Sequence, residues 1–232
     1  MTTLVVAHRT CPRDAPENSL EGIATAARLG ADVVEVDARR SGDGTAVLVH
    51  DPWLLRVQRV PLPVRRVRAA RLARLGVPTL ADGLEVAREA GIRVAIDTKD
   101  PGAAEAVLAA VRAAGATGQV LLWSQHMPTV RSYVRALPDA PVALLRDTFE
   151  PADHERLLAD AAAIGARAVS AHQDVVTPAF LAAATDRGLA VYCWYRSLDV
   201  QRARLAAAAA LGLAGVVTDW PAQARERLRS GG

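Results

Sequence analysis

Acidic, basic and histidine side chains stand at the ends of four short apolar runs in the first hundred residues. In chain order these groups are His8-Arg9, Glu35-Val36-Asp37, His50-Asp51 and Asp97-Thr98-Lys99. If the runs are strands of one barrel, their carboxyl ends meet at one mouth. Side chains alternate along a strand, so Glu35 and Asp37 point the same way, as do Asp97 and Lys99. One orientation turns both pairs into the mouth.

Three carboxylates would then converge, those of Glu35, Asp37 and Asp97. Without a cation they would repel each other strongly. Ligands that are all oxygen suit a hard divalent ion, Mg²⁺ or Ca²⁺, rather than zinc, which usually recruits His or Cys. The sequence therefore predicts a site for one divalent metal ion.

Two histidines and two cations accompany the carboxylates. His8 and His50 can exchange protons near neutral pH, and Arg9 and Lys99 supply donors for an anionic group. Lys99 is the one lysine among 28 basic residues, which indicates a position that needs a compact ammonium rather than a planar fork. A metal site, paired imidazoles and cations together are typical of phosphoryl-ester chemistry.

The elements that must position these residues alternate along the chain. Strands are predicted at 4–8, 33–37, 94–97, 120–123, 142–145, 168–171, 190–194 and 215–218, and helices at 20–29, 81–90, 103–114, 129–136, 152–164, 178–187 and 199–211. Strand–helix alternation means parallel strands joined by helical crossovers. Eight such units favour an α/β (β/α)8 TIM barrel over an open doubly wound sheet, and the glycine-rich dinucleotide turn is absent after the first strand.

A longer connection joins the second and third barrel strands. Residues 45–51 predict an added, hairpin-like strand, and residues 52–79 form a short insertion or rim with seven arginines and no acid. We expect the arginines of residues 56–74 to draw in anionic substrates or to make a peripheral contact with an anionic membrane. A solvated helix face is the alternative. Nucleic acid is not an expected partner, because no aromatic residues interleave with the arginines.

Composition bounds the remaining classes. The chain has 232 residues, is 51% apolar and shows no linker, so one domain over residues 1–232 is expected. Its two cysteines give no disulfide framework and fit a reducing cytoplasm. The first predicted strand begins at Leu4, so we expect no secretory signal ahead of the fold.

The series of motifs resembles the glycerophosphodiester phosphodiesterase family, one of the phospholipase C-like phosphodiesterase barrels. The likeness rests on His8-Arg9, Pro16-Glu17-Asn18-Ser19, Gly30-Ala31-Asp32, Glu35-Val36-Asp37, Asp43-Gly44, His50-Asp51, Pro78-Thr79-Leu80, Ile96-Asp97-Thr98-Lys99, Trp194 and Thr218-Asp219-Trp220-Pro221. The resemblance implies a (β/α)8 barrel that uses a divalent metal to hydrolyse small glycerophosphodiesters to glycerol 3-phosphate and an alcohol.

The same resemblance implies roles for single residues. His8 and His50 become the catalytic acid/base pair, and Glu35, Asp37 and Asp97 the metal ligands. The implied substrate- and phosphate-binding residues are Arg9, Lys99, Glu17, Asn18 and Trp194. Asn18 braces the histidines or caps the following helix, and the sequence favours neither reading.

Two departures from the family pattern bear on the site. Thr10 stands where the family has glycine, so the loop backbone is expected to approach phosphate less freely. Asp97 stands where the family has glutamate, one methylene longer.

Two alternatives to this function stay open. One is a related barrel phosphodiesterase acting on lysophospholipids or sphingolipids with a cyclic phosphate product, which an apolar rim beside the arginines would favour. The other is a non-catalytic barrel that only binds phosphodiesters.

Overall fold

Eight parallel strands close into a barrel in the computed structural model, which describes residues 2–146 and 152–230. The strands are β1 Leu4–Ala7, β2 Val33–Arg40, β3 Ala46–Leu48, β4 Arg93–Thr98, β5 Val120–Ser124, β6 Val142–Arg146, β7 Ala168–His172, β8 Ala190–Tyr195 and β9 Gly215–Thr218. All except β3 belong to the barrel, and β1 closes it by pairing with β2 on one side and β9 on the other. The predicted TIM barrel is confirmed.

Helices surround the barrel. They are α1 Leu20–Arg28, α2 Ala69–Arg74, α3 Leu80–Glu89, α4 Ala104–Ala113, α5 Met127–Ala136, α6 Ala152–Ala163, α7 Pro178–Asp186, α8 Leu198–Ala210 and α9 Pro221–Ser230. The seven predicted helices are present with ends shifted by one or two residues, while α2 and α9 were not predicted. Within the described ranges, no helix is both long and apolar enough to cross a membrane.

Two apolar layers show which way each strand turns its side chains. In β2, Val34 and Val36 pack in the layer between the barrel and the helices, whereas Val33 belongs to the barrel interior. Because side chains alternate, Glu35 and Asp37 lie on the same inward side as Val33. The barrel interior is otherwise filled by apolar side chains, including those of Val6, Ala95, Leu121, Trp123, Tyr192 and Val217. The carboxylates therefore sit on top of a packed interior.

The connection between β2 and β4 forms a rim of its own. Strand β3 runs antiparallel to β2, with Ala38 opposite Leu48 and Arg40 opposite Ala46. The hairpin-like strand expected over 45–51 is thus present but shorter. A separate small core holds the segment together, and its members are Val47, Val49, Leu54, Val64, Val67, Leu72 and Val77. The arginines of this segment are consequently carried on a packed structure.

Candidate active site

Three buried carboxylates meet at the mouth of the barrel. Glu35 and Asp37 come from β2, Asp97 comes from β4, and Asp37 and Asp97 are register partners on these neighbouring strands. One oxygen of each lies within 4.8 Å of the others. Their relative exposures are 3%, 0% and 3%. The convergence predicted from strand alternation is therefore present.

Two cations border the carboxylates. Lys99 Nζ lies 2.9 Å from Oδ1 of Asp37 and is also paired with Asp97. Arg9 Nε lies 3.4 Å from Oδ2 of Asp37, and the main-chain N–H of Arg9 donates to Glu35 Oε2 at 2.6 Å. Both predicted phosphate-binding cations are thus at the cluster.

The pKa values of the three acids shift in different directions. Burial acts to raise the pKa of Asp37, but the charges of Lys99 and Arg9 outweigh it and hold that pKa well below its usual range. Burial, together with the charge of Asp37, raises the pKa of Glu35 to about 7. Burial also raises the pKa of Asp97, although Lys99 opposes the rise. The cluster therefore holds more negative charge than its two cations stabilise.

The donor set fits a hard divalent cation. All three side chains offer carboxylate oxygen, the ligand that Mg²⁺ and Ca²⁺ prefer. Oδ1 of Asp97 is buried and has no hydrogen-bond partner in the part of the chain that the structure describes. A buried carboxylate oxygen without a partner is costly, and a metal ion is one way to satisfy it. Glu35, Asp37 and Asp97 can therefore hold such an ion together.

Each predicted catalytic histidine is bonded to an aspartate. His8 Nδ1 lies 2.7 Å from Oδ1 of Asp219, and His50 Nδ1 lies 2.7 Å from Oδ1 of Asp51. The His8 and His50 side chains are 35% and 29% exposed. A carboxylate at Nδ1 fixes the ring orientation and leaves Nε2 as the nitrogen for proton transfer. The two imidazoles are thus oriented in the same way, each by an aspartate at Nδ1.

Their pKa values nevertheless move in opposite directions. Burial lowers the pKa of His8, but the hydrogen bond to Asp219 and the charge of Glu35 raise it above its ordinary value. Burial lowers the pKa of His50 below its ordinary value, although the charge of Asp37 and the hydrogen bond to Asp51 oppose the change. A site with one imidazole more readily protonated than the other can both donate and accept a proton.

The structure corrects both roles that the sequence suggested for Asn18, bracing the histidines and capping α1. Its side-chain amide donates to Asp37 Oδ2 at 2.7 Å, and the main-chain N–H of Asp37 donates to Asn18 Oδ1 at 2.8 Å. The cap of α1 is Ser19, whose hydroxyl accepts from the N–H of Gly22. Asn18 therefore orients a carboxylate, and neither caps the helix nor bonds a histidine. Its φ of 54° is a left-handed conformation that asparagine tolerates.

The turn after β1 is left-handed over three consecutive residues. Arg9, Thr10 and Cys11 have φ angles of 42°, 61° and 62°. The expectation that this backbone approaches phosphate less freely stays a prediction, although Thr10 adopts the left-handed conformation that glycine favours. Its buried hydroxyl accepts from the N–H of Ser19 at 3.2 Å and donates to the carbonyl of Pro16 at 3.3 Å. These bonds offset the strain of a β-branched residue at positive φ.

Glu17, predicted among the substrate-binding residues, has its carboxylate engaged by an arginine of the rim. Arg56 donates to Glu17 through Nη1 at 2.9 Å and Nη2 at 2.5 Å. Arg56 Nε also lies 2.5 Å from Oδ2 of Asp51, whose other oxygen bonds His50. Glu17 thus joins the loop after β1 to the rim.

Trp194 lies at the end of β8 among polar neighbours. Its ring meets that of His172, on β7, edge to face with centroids 4.5 Å apart. The guanidinium of Arg196 stands 5.8 Å from the Trp194 ring centre. Substrate binding by Trp194 stays a prediction.

Sequence reasoning gave Asp219 no role. Asp219 follows β9 directly, and β9 pairs with β1, the strand that ends before His8. An acid just after the last barrel strand lies next to the first strand once the barrel closes. That position was the signal that could have identified it.

Comparison with known proteins identifies the family of the chain. The model of the Glycerophosphoryl diester phosphodiesterase family matches residues 8–223. A glycerophosphodiester phosphodiesterase of Caldanaerobacter subterraneus subsp. tengcongensis is 25% identical over 256 aligned positions that cover 100% of both chains. A putative glycerophosphoryl diester phosphodiesterase of Silicibacter pomeroyi is 24% identical, with a TM-score of 0.86 over 99% of this chain and 94% of that one.

A second solved structure adds a ligand. It is that of a phosphodiesterase of Oleispira antarctica in complex with the product sn-glycerol-3-phosphate. It is 21% identical, with a TM-score of 0.80 over 98% of this chain and 97% of that chain. Since the family model spans nearly the whole sequence, the chain belongs to the glycerophosphoryl diester phosphodiesterase family, whose members are hydrolases.

Proposed function

We propose that this chain hydrolyses glycerophosphodiesters to glycerol 3-phosphate and an alcohol in a metal-dependent reaction, with His8 and His50 as the acid/base pair. One observation carries the proposal. Three buried carboxylates have oxygens within 4.8 Å of one another, and two aspartate-bonded histidines lie close enough to feel their charge, His8 that of Glu35 and His50 that of Asp37. Membership of the family supports the reaction class, and the glycerol 3-phosphate in the Oleispira antarctica structure supports the product.

Glu35, Asp37 and Asp97 would hold one divalent ion, Mg²⁺ or Ca²⁺. Such an ion supplies positive charge against the phosphoryl oxygens as negative charge builds on them. Lys99 stays beside Asp37 and Asp97, with 15% of its side chain exposed, and Arg9 has 23% exposed. Both side chains can therefore stay paired with the carboxylates and also donate hydrogen bonds to a phosphate.

The histidines move the protons at their Nε2 atoms. One imidazole takes a proton from the nucleophile as the new O–P bond forms. The other gives a proton to the alkoxide as the old P–O bond breaks. The nucleophile is either water or the neighbouring hydroxyl of the substrate's glycerol. The second route gives a cyclic phosphate first, which phosphorus NMR of the products distinguishes.

Replacement of the histidines tests the proposal. His8→Ala and His50→Ala should each abolish turnover of glycerophosphocholine and leave the far-UV circular dichroism unchanged. His154→Ala is the matched control, because His154 lies on α6 and packs against Phe180. We expect it to remain active. An active His50→Ala enzyme would remove the acid/base assignment.

A second candidate function is favoured by one specific observation. Trp53, Leu55 and Val57 are 53%, 59% and 40% exposed within the arginine-rich rim. An apolar rim of this kind suits the acyl chains of lysophospholipid or sphingolipid substrates, the substrates of the alternative phosphodiesterase that forms a cyclic phosphate. Mass spectrometry of products from glycerophosphocholine, lysophosphatidylcholine and sphingomyelin separates the two. A non-catalytic barrel fits family membership less well, and calorimetric metal and ligand binding without turnover would be its signature.

A further inference from the structure

Large apolar side chains are exposed at one place on the rim. Across the described parts of the chain, four large hydrophobic residues are strongly exposed, namely Trp53, Leu55, Val57 and Leu211. Three of them fall within five residues, and we call residues 53–59 the tip. Scattered exposed hydrophobics are ordinary in a folded protein, but a contiguous group indicates an interaction surface.

The backbone presents these side chains outward. Leu54 is fully buried in the small core of the rim, and its N–H donates to the carbonyl of Leu62 at 2.9 Å. The N–H of Val60 donates back to the carbonyl of Leu54 at 3.2 Å. Residues 55–59 therefore form a closed turn that stands on a packed base, with Leu55 and Val57 on its exposed surface.

The tip lies at the mouth of the candidate active site. Arg56 of the tip pairs with Glu17 of the loop after β1 and with Asp51. Asp51 in turn bonds His50. A surface that contacts the tip would consequently also face the entrance through which substrate passes.

Most of the positive charge on residues 52–79 has no ion-pair partner among the described residues. Residues 52–79 contain seven arginines and no acid, and all seven arginines are exposed. Among the described residues, Arg56 and Arg68 have ion-pair partners. The other five make no ion pair with any described residue, and they are Arg59, Arg65, Arg66, Arg71 and Arg74. Free guanidinium groups and exposed apolar side chains carried on the same packed rim complement a surface that is anionic outside and apolar beneath.

We propose that the tip and the neighbouring arginines dock on an anionic lipid bilayer. Trp53, Leu55 and Val57 enter the interfacial region, where tryptophan is favoured, and the arginines contact lipid phosphates. Charge complementarity selects a bilayer over an apolar protein partner. The inference goes beyond the proposed hydrolysis, because docking needs no turnover, and it directs the active-site mouth toward membrane lipids.

Vesicle co-sedimentation of the full-length protein tests the docking. Vesicles of equal parts phosphatidylglycerol and phosphatidylcholine should retain the protein at low salt, whereas pure phosphatidylcholine should not. Leu55→Ser/Val57→Ser should lower the partition coefficient about tenfold or more. Leu211→Ser is the matched control, since Leu211 is 51% exposed between α8 and β9, at the opposite end of the barrel. It should bind like the unmodified protein.

Charge is tested in the same way. Arg71→Gln/Arg74→Gln on α2 should weaken binding to anionic vesicles, while Arg131→Gln/Arg135→Gln on α5, both also exposed, should not. Hydrolysis of soluble glycerophosphocholine, measured for every variant, should stay unchanged. That assay separates failure of docking from failure of the catalytic proposal.

Two results would overturn the docking inference. One is equal binding of the unmodified protein and of Leu55→Ser/Val57→Ser to anionic vesicles. The other is no vesicle binding at all. If sedimentation velocity also showed a self-association that the same double substitution removes, the tip would contact a second copy of the chain instead of lipid.

Discussion

Asn18 and Asp37 hold each other by two hydrogen bonds, although they lie 19 residues apart in the chain. The Asn18 amide donates to Asp37 Oδ2 at 2.7 Å, and the Asp37 main-chain N–H donates to Asn18 Oδ1 at 2.8 Å. This pairing fixes the orientation of the most deeply buried carboxylate of the cluster. Replacing a residue that orients a metal ligand typically lowers metal affinity roughly 10- to 100-fold.

Asn18→Gly should therefore weaken metal binding. Glycine keeps the left-handed backbone at this position, where φ is 54°, and removes only the amide. We expect the dissociation constant for Mg²⁺ or Ca²⁺ to rise about ten- to hundred-fold in calorimetric titration. Ser19→Ala is the control, since it removes the cap of α1 and should cost about 1 kcal/mol of stability with metal affinity unchanged. Equal affinities in all three proteins would contradict the orienting role.

Asp219→Asn should move the pH dependence of the reaction. The hydrogen bond to Asp219 and its charge raise the pKa of His8, against burial. Without that negative charge the imidazolium is less stable, so its pKa falls. The limb of the pH profile of kcat/KM that belongs to His8 should shift to lower pH. Asp174→Asn, which alters an acid 3.3 Å from another histidine, His172, should leave the profile in place. An unmoved profile in Asp219→Asn would show that His8 does not set either limb.

Asp97→Asn should remove stabilisation by metal. An ion that binds only the folded state adds about 2.7 kcal/mol at a concentration a hundred times its Kd, so Mg²⁺ or Ca²⁺ should raise the Tm of the unmodified protein. The variant lacks one of three converging charges and should lose most of that rise. Asp100→Asn is the matched control, because Asp100 lies just beyond the end of β4, three residues after Asp97, and pairs with Arg39 at 3.8 Å. A full metal-dependent rise in Asp97→Asn would place the ion elsewhere.

Thr10→Val should destabilise the turn after β1. Valine keeps the shape and the left-handed strain of Thr10 but loses the hydroxyl that bonds Ser19 and Pro16. The unpaired groups should cost about 1–3 kcal/mol in urea unfolding. Thr25→Val on α1 should cost less, because the partner of Thr25 is the side chain of Arg28, which can turn to water. Equal losses would mean that the Thr10 hydroxyl is not needed to hold the turn.

Local rules were enough to predict the carboxylate cluster. Glu35 and Asp37 share one face of β2, and Asp97 follows by register on β4, so strand alternation and barrel topology bring them together. The eight barrel strands were predictable for the same reason. Helix α9 was not predicted, because its sequence from Pro221 to Ser230 is strongly polar and follows the last expected strand.

Contacts that depend on tertiary closure were not predicted. His8 meets Asp219 across 211 residues of chain, and Arg56 meets Glu17 across 39. No local pattern marks such partners, because the closed barrel and the folded rim set their distance. The left-handed conformation of Thr10 was likewise not predicted, since a β-branched residue disfavours it. The single-domain organisation and the cytoplasmic location stay predictions.

The most direct test of the central claim is the rate of glycerol 3-phosphate release from glycerophosphocholine with Mg²⁺, with Ca²⁺ and with chelator. We expect turnover with at least one of the two ions, loss of turnover in chelator and recovery when that ion is restored. Glu35→Gln should stay inactive under all three conditions, because it removes a ligand from the cluster. Full turnover in chelator would contradict a reaction that depends on a metal held by these carboxylates.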